Sequence, residues 1–144
     1  MNNPIIRFNF LEPLSLADRT RLKRFLGSLF KKEKKPLAEL QYIFCSDAYL
    51  LEINRQFLRH DYYTDIITFD LSEKNHPVNA EIYISVDRVR DNAANFDSSL
   101  RNELHRVIFH GALHLCGYTD KTPLAVKEMR KMEEKYLALY ERFT

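Results

Sequence analysis

Residues 64–86 read TDIITFDLSEKNHPVNAEIYISV, and this stretch decides the fold class. β-Branched and aromatic residues crowd TDIITFDL (64–71), the composition of a strand. SEKNHPVN (72–79) gathers turn formers. AEIYISV (80–86) then alternates, with Ile82, Ile84 and Val86 facing inward as a second strand. Two strands therefore follow one another with no helix between them.

Working outward, the period changes in kind. IIRFNF puts Ile6, Phe8 and Phe10 on one face of a short strand. Ser15 is then expected to cap a helix, with Asp18 completing a capping box. Its buried stripe is Leu22, Phe25, Leu26, Leu29 and Phe30. ELQYIFC alternates Leu40, Tyr42 and Phe44 as another strand, and Ser46 or Asp47 caps a helix to about Leu58. Beyond residue 86, Asp87 is expected to cap one helix and Ser98 or Ser99 the next, which runs to about Cys116. Gly117 stops that helix, and Thr122-Pro123 opens the last one, since proline suits the first helical position. The order β-α-β-α-β-β-α-α-α indicates an α+β fold, a small mixed four-stranded sheet packed with about five helices.

The 144 residues are expected to form a single domain, 1–144, with 45% hydrophobic and 29% charged residues. No repeat, low-complexity tract or Gly/Ser linker divides them. No apolar run approaches the roughly 20 residues that cross a bilayer. MNNPIIRFNFLEPL lacks a basic stretch before an apolar core and a small-residue cleavage site, so a cytoplasmic protein is expected. Cys45 and Cys116 form no C-x-x-C and read as buried free thiols in a reducing compartment. Charge is uneven: residues 1–35 hold nine Lys/Arg against three acids, while the net charge of the whole chain is only +2. That basic face suits phosphates, although a solvated helix face is the commoner meaning of such a run.

The chemistry concentrates in HGALHLCGYTD (110–120). His110 and His114, four apart on a helix, project from one side, off the apolar stripe of Leu100, Leu104, Val107, Ile108 and Leu115. Gly117 lets the chain reverse so that Asp120 returns as a third ligand. Two imidazoles and a carboxylate, with one open position, make the ligand count of a catalytic metal site. Two core-bonded histidines would be the bland alternative, disfavoured by the glycine turn and carboxylate that accompany them. In the zinc-peptidase pattern H-E-x-x-H the glutamate is the general base. Here Gly111 takes that place and is read as room for substrate. The site is thereby read as that of a metal hydrolase but not a standard peptidase, and activation falls to one divalent ion, zinc foremost, for which a phosphodiester is a suitable substrate.

HGALHLCGY resembles the H-G-x-L-H-L-x-G-Y-D-H signature of the YbeY family of bacterial rRNA maturation factors, metal-dependent single-strand endoribonucleases. His110, Gly111, Leu113, His114, Leu115, Gly117 and Tyr118 match it. HDYYTDIITF is similar to the family's D-x-P-T-D-V-L-S-F strand at Asp61, Thr64, Asp65 and Phe69; AEIYIS and EMRKMEEKYL resemble two further segments. The resemblance implies an enzyme that hydrolyses single-stranded RNA, ribosomal RNA foremost, in maturation of the small ribosomal subunit, with no membrane partner. Asp120 stands where the family's third histidine ligand would be, which makes the donor set harder and admits other divalent ions. The family's arginine falls on Leu58, and the neighbouring Arg59 is the expected catalytic substitute. His60, His76 and His105 read as structural, and Tyr62 and Tyr63 as packing. A non-catalytic ribosome assembly factor with a structural metal, a metallohydrolase of another substrate, and a 2-His-1-carboxylate iron oxygenase are the competing readings. The oxygenase is weakened because its ligands usually sit on barrel strands.

Overall fold

The computed structural model describes residues 3–144. Strands β1 (Ile5–Phe10), β2 (Leu37–Cys45), β3 (Ile66–Asp70) and β4 (Val78–Ser85) form one sheet in the order β1-β2-β4-β3. β1, β2 and β4 run parallel and β3 antiparallel to β4, so the mixed sheet is as expected. Parallel neighbours cannot be joined by a tight turn. Helix α1 (Arg19–Lys32) therefore links β1 to β2, and α2 (Asp47–Ile53) with β3 fills the passage from β2 to β4. Three more helices follow, α3 (Val86–Asn95), α4 (Leu100–Leu115) and α5 (Pro123–Glu141).

Alternation along the central strands divides the apolar residues between two faces. Leu40, Tyr42, Phe44, Ala80, Ile82 and Ile84 are fully buried in one large core with α1, α4 and α5. The Tyr42 hydroxyl donates to the Ile108 carbonyl at 2.8 Å, fixing the middle of α4 over the sheet. Cys45, Leu50 and Ile67 make a smaller core, against which Phe69 and Tyr83 pack. Both cysteines are free, with Cys116 only partly buried.

Two helix starts differ from expectation, and tertiary contacts explain both. α1 begins at Arg19 behind Asp18, which is left-handed (φ 56°), rather than at Ser15. Leu16 is drawn into the core, and Arg19 Nε donates to its carbonyl, which keeps the preceding chain unwound. α3 begins one residue earlier than Asp87, with Ser85 Oγ accepting from the Arg88 amide at 3.2 Å. Val86 consequently belongs to α3, not β4. The Asp87 carboxylate instead accepts from the Asp47 amide at the start of α2. Ser46, Ser99 and Thr122 cap α2, α4 and α5. After Ile53 the chain loosens into a π-helical turn, Asn54–Leu58, before Arg59 closes it.

His105 lies in the core on α4, edge-on to Tyr140 at 4.9 Å and stacked near Phe109. Burial, and then the charge of Arg101, push it down to about 4 from 6.5. Its neutral form stabilises the fold above pH 6.5, and that contribution is lost as pH falls toward 4, because the unfolded chain takes up the proton first. Urea unfolding across this window should show roughly 3 kcal/mol less loss in His105→Leu than in the parent. Parallel pH profiles would show that His105 does not carry this acid sensitivity.

Candidate metal centre

α4 supplies the central groups. His110 is half-buried, and its Nδ1–H donates to Glu133 Oε2 of α5 at 2.6 Å. Its other nitrogen, Nε2, lies 3.5 Å from Asp120 Oδ2. Two ligands at zinc distances of about 2.05 Å in a tetrahedral shell stand about 3.4 Å apart, so this pair has the spacing of atoms sharing one ion. His114 lies one turn further on, exposed, its ring within 9° of parallel to that of His110 at 6.3 Å. Among the described residues no three such side chains already converge on one point. Closing the trio requires rotation of His114 and Asp120, both on the surface and free to change rotamer. The donor set and the spacing of its first pair fit a divalent ion.

Local chain geometry brings Asp120 back. Gly117 (φ 110°) follows α4 with its amide bonded to the His114 carbonyl, while the Tyr118 amide bonds to that of Leu113. These two bonds form a Schellman ending, which needs a residue at positive φ. The Tyr118 hydroxyl then donates to Glu33, the residue just past α1, at 2.9 Å, and Tyr136 of α5 donates to the same carboxylate. The loop is thus tied to two helices just before Asp120.

Gly111 has a different role from the one expected. It faces the sheet, where an added Cβ would meet Ile82 Cδ1 at 2.8 Å and Ile66 Cδ1 at 3.1 Å. Its bare backbone admits β3 and β4, not substrate. A glutamate there would enter the core, so this helix has no place for a peptidase base.

Glu133 and Arg106 escaped the sequence reading. Glu133 is 2% exposed and joins His110 to Arg106, whose guanidinium also pairs with the buried Glu103. Burial opposes ionisation of Glu133, yet hydrogen bonds from His110 and Arg106 hold its pKa below the ordinary carboxylate value. Burial likewise opposes the imidazolium of His110, but Glu133, then Asp65 and Asp120, raise its pKa overall. The available signal was position: Glu133 falls on the same stripe of α5 as Met129, Met132, Tyr136 and Tyr140.

Arg59 does not join the centre. It caps the π-helical turn in the left-handed region (φ 56°), and Leu58 rather than Arg59 lines the cleft. That cleft, about 440 Å³, is walled by Leu58, His60, Tyr62, His110, His114 and Asp120 among others. His60 is thus at the site, stacked on Tyr62 at 5.1 Å. Tyr62 and Tyr63 are more than half exposed rather than packed, and Arg88 lies over the Tyr63 ring.

An α+β domain with a histidine–carboxylate cleft at the end of a buried helix is the class these features define. The family model described as Endoribonuclease YbeY matches residues 15–141. The chain is 52% identical over 124 residues to Endoribonuclease YbeY of Cytophaga hutchinsonii, covering 86% of this chain and 87% of that one. It is 42% identical over 136 residues to that of Flavobacterium psychrophilum, covering 94% and 96%. The solution structure of TM1509 from Thermotoga maritima superposes with a TM-score of 0.63 at 31% identity, over 94% of this chain and 89% of that one. The chain belongs to the Endoribonuclease YbeY family.

If Glu133 orients a metal-binding His110, Glu133→Gln should weaken zinc binding by about 10- to 100-fold in chelator competition. Unchanged affinity in a folded variant would remove Glu133 from the metal centre.

Proposed function

We infer that this chain is an endoribonuclease that hydrolyses phosphodiester bonds of single-stranded RNA, ribosomal RNA foremost, in maturation of the small ribosomal subunit. The observation that carries the reading is the His110 Nε2 to Asp120 Oδ2 spacing of 3.5 Å, with Nδ1 already engaged by Glu133. Family membership supports the reaction class. His110, His114 and Asp120 would hold one divalent ion, zinc foremost. When bound, it lowers the pKa of a coordinated water and neutralises phosphate charge. Glu133 fixes the tautomer of His110, leaving Nε2 directed to the ligand side. Tyr62, 55% exposed at the cleft, offers a face on which a base can stack.

Two arginines of the basic N-terminal face are taken up in packing. Arg21 Nε donates to the Phe143 carbonyl at 2.7 Å and its guanidinium lies over the Tyr140 ring. Arg24 reaches the Thr144 carbonyl and lies near the Phe143 ring. Both arginines fasten the C-terminal segment, so reversing them would damage the fold before it tested RNA binding.

Cleavage of single-stranded RNA should fall by about two orders of magnitude in His114→Ala and after chelation, corresponding to several kcal/mol of lost charge stabilisation. Far-ultraviolet circular dichroism should remain unchanged, because His114 is exposed, and peptides should not be cleaved. Equal RNA cleavage by parent, variant and stripped protein would overturn the reading in favour of an assembly factor without catalysis.

A further inference from the structure

An anionic phosphodiester needs a cation beyond the metal ligands, and the obvious candidates fail to supply one. The family pattern's arginine falls on Leu58. Arg59 is turned into a left-handed cap and borders neither recess beside His110.

A second recess, about 310 Å³, opens on the α5 side of His110. His110 and Asp120 belong to both recesses, so a group bound in either lies beside the same atoms. Its wall includes Thr64 and Asp65, just before β3, together with Arg106, Arg130 and Glu133. Two arginines therefore border it, and they differ sharply. Arg106 is consumed by Glu103 and Glu133. Arg130 stands three residues before Glu133 on α5, is exposed, and takes no ion pair among the described residues. Glu133 is already satisfied by Arg106 and His110. The recess is left with one basic wall, at Arg130, and one acidic wall, at Asp65 and Asp120.

We infer that this recess is a phosphate-binding subsite in which Arg130 grips the non-bridging oxygens of an RNA phosphodiester. The inference rests on the RNA-cleaving reading above and identifies the group that anchors the strand beside the metal ligands. A guanidinium is suited to this role: its planar fork presents paired donors to two phosphate oxygens, which an ammonium cannot match. α5 also gives it a rigid base, since Met129 and Glu133 on either side are buried.

The test uses the full-length protein loaded with zinc. Binding of a short fluorescein-labelled 2′-O-methyl RNA strand, checked for integrity after each assay, is followed by anisotropy over a range of salt. Arg130→Ala should bind about tenfold more weakly or worse, the loss of one charge-assisted contact. Its salt slope should fall by about 0.7, one phosphate contact on a single strand. Arg130→Lys should keep the slope while recovering only part of the affinity. Inorganic phosphate, titrated calorimetrically, should bind Arg130→Ala about tenfold more weakly than the parent. Melting temperatures should coincide, because Arg130 is exposed. Parent-like affinity and slope in Arg130→Ala, or phosphate binding of parent strength in that variant, would overturn the subsite. A parent that binds phosphate through Arg130 but cleaves no RNA would sink the nuclease reading and leave the subsite standing.

Discussion

The buried carboxylate of Glu133 is the constraint on which the rest of the centre depends. An isolated charge in that position would be strongly unfavourable. Arg106 approaches one oxygen at 2.9 Å and His110 the other at 2.6 Å, both reaching across from α4. The pair of helices is therefore locked by the same contacts that orient the imidazole. Removing one member would leave its partners buried and unpaired, so fold and site are coupled at this point. His110 Nε2 is left beside Asp120, where a proton or a metal cation can be accommodated. Burial opposes the protonated ring, but Glu133 on Nδ1 and then the charges of Asp65 and Asp120 raise the affinity of His110 for a proton.

The approach of α4 to the sheet is set by Gly111. A side chain there would collide with Ile82 and Ile66. Bringing the helix backbone this close lets Tyr42 reach the Ile108 carbonyl. It also places His110, the next residue back, at the sheet margin beside Thr64 and Asp65. The missing acid of the peptidase pattern is thus a packing requirement. The helix cannot carry a base at that position and lie against these two strands.

What could be read from the sequence was whatever local chemistry decides. Thr122 and Gly117 act through their own turns and stand where expected, and of Ser98 and Ser99 it is Ser99 that caps α4. The i, i+4 histidines and the glycine reversal identified the approach of Asp120 to His110 for the same reason. Ser15 and Asp87 misled because distant contacts overrode them: Leu16 enters the core, and Asp87 caps a neighbouring helix. Charged residues on a long amphipathic helix normally face water, which hides Arg106 and Glu133 in the sequence. The place of Glu133 on the apolar stripe of α5 is the one signal that sets it apart. Arg59 illustrates the limit of transferring a role by adjacency. One residue of displacement moves it from the cleft wall to a left-handed cap, while Leu58 keeps the wall position.

Charge tells a similar story about composition and placement. The N-terminal third holds the excess of basic residues, yet Arg21 and Arg24 bind the chain's own C-terminal carbonyls. Those contacts satisfy carbonyls beyond the last turn of α5, which lack helical partners. They also bring Phe25 against Tyr140 and Phe143 at ring distances of 5.0 and 5.2 Å. Two members of that basic patch, Arg21 and Arg24, are here a clasp that closes α1 over the end of α5. Beside His110 and Asp120, by contrast, Arg130 has no ion-pair partner among the described residues, whereas Arg106 is neutralised by Glu103 and Glu133. Field strength at a cleft depends on which cations remain uncompensated there. For this chain, the sum over a sequence segment therefore does not tell which cations are left to face an anion.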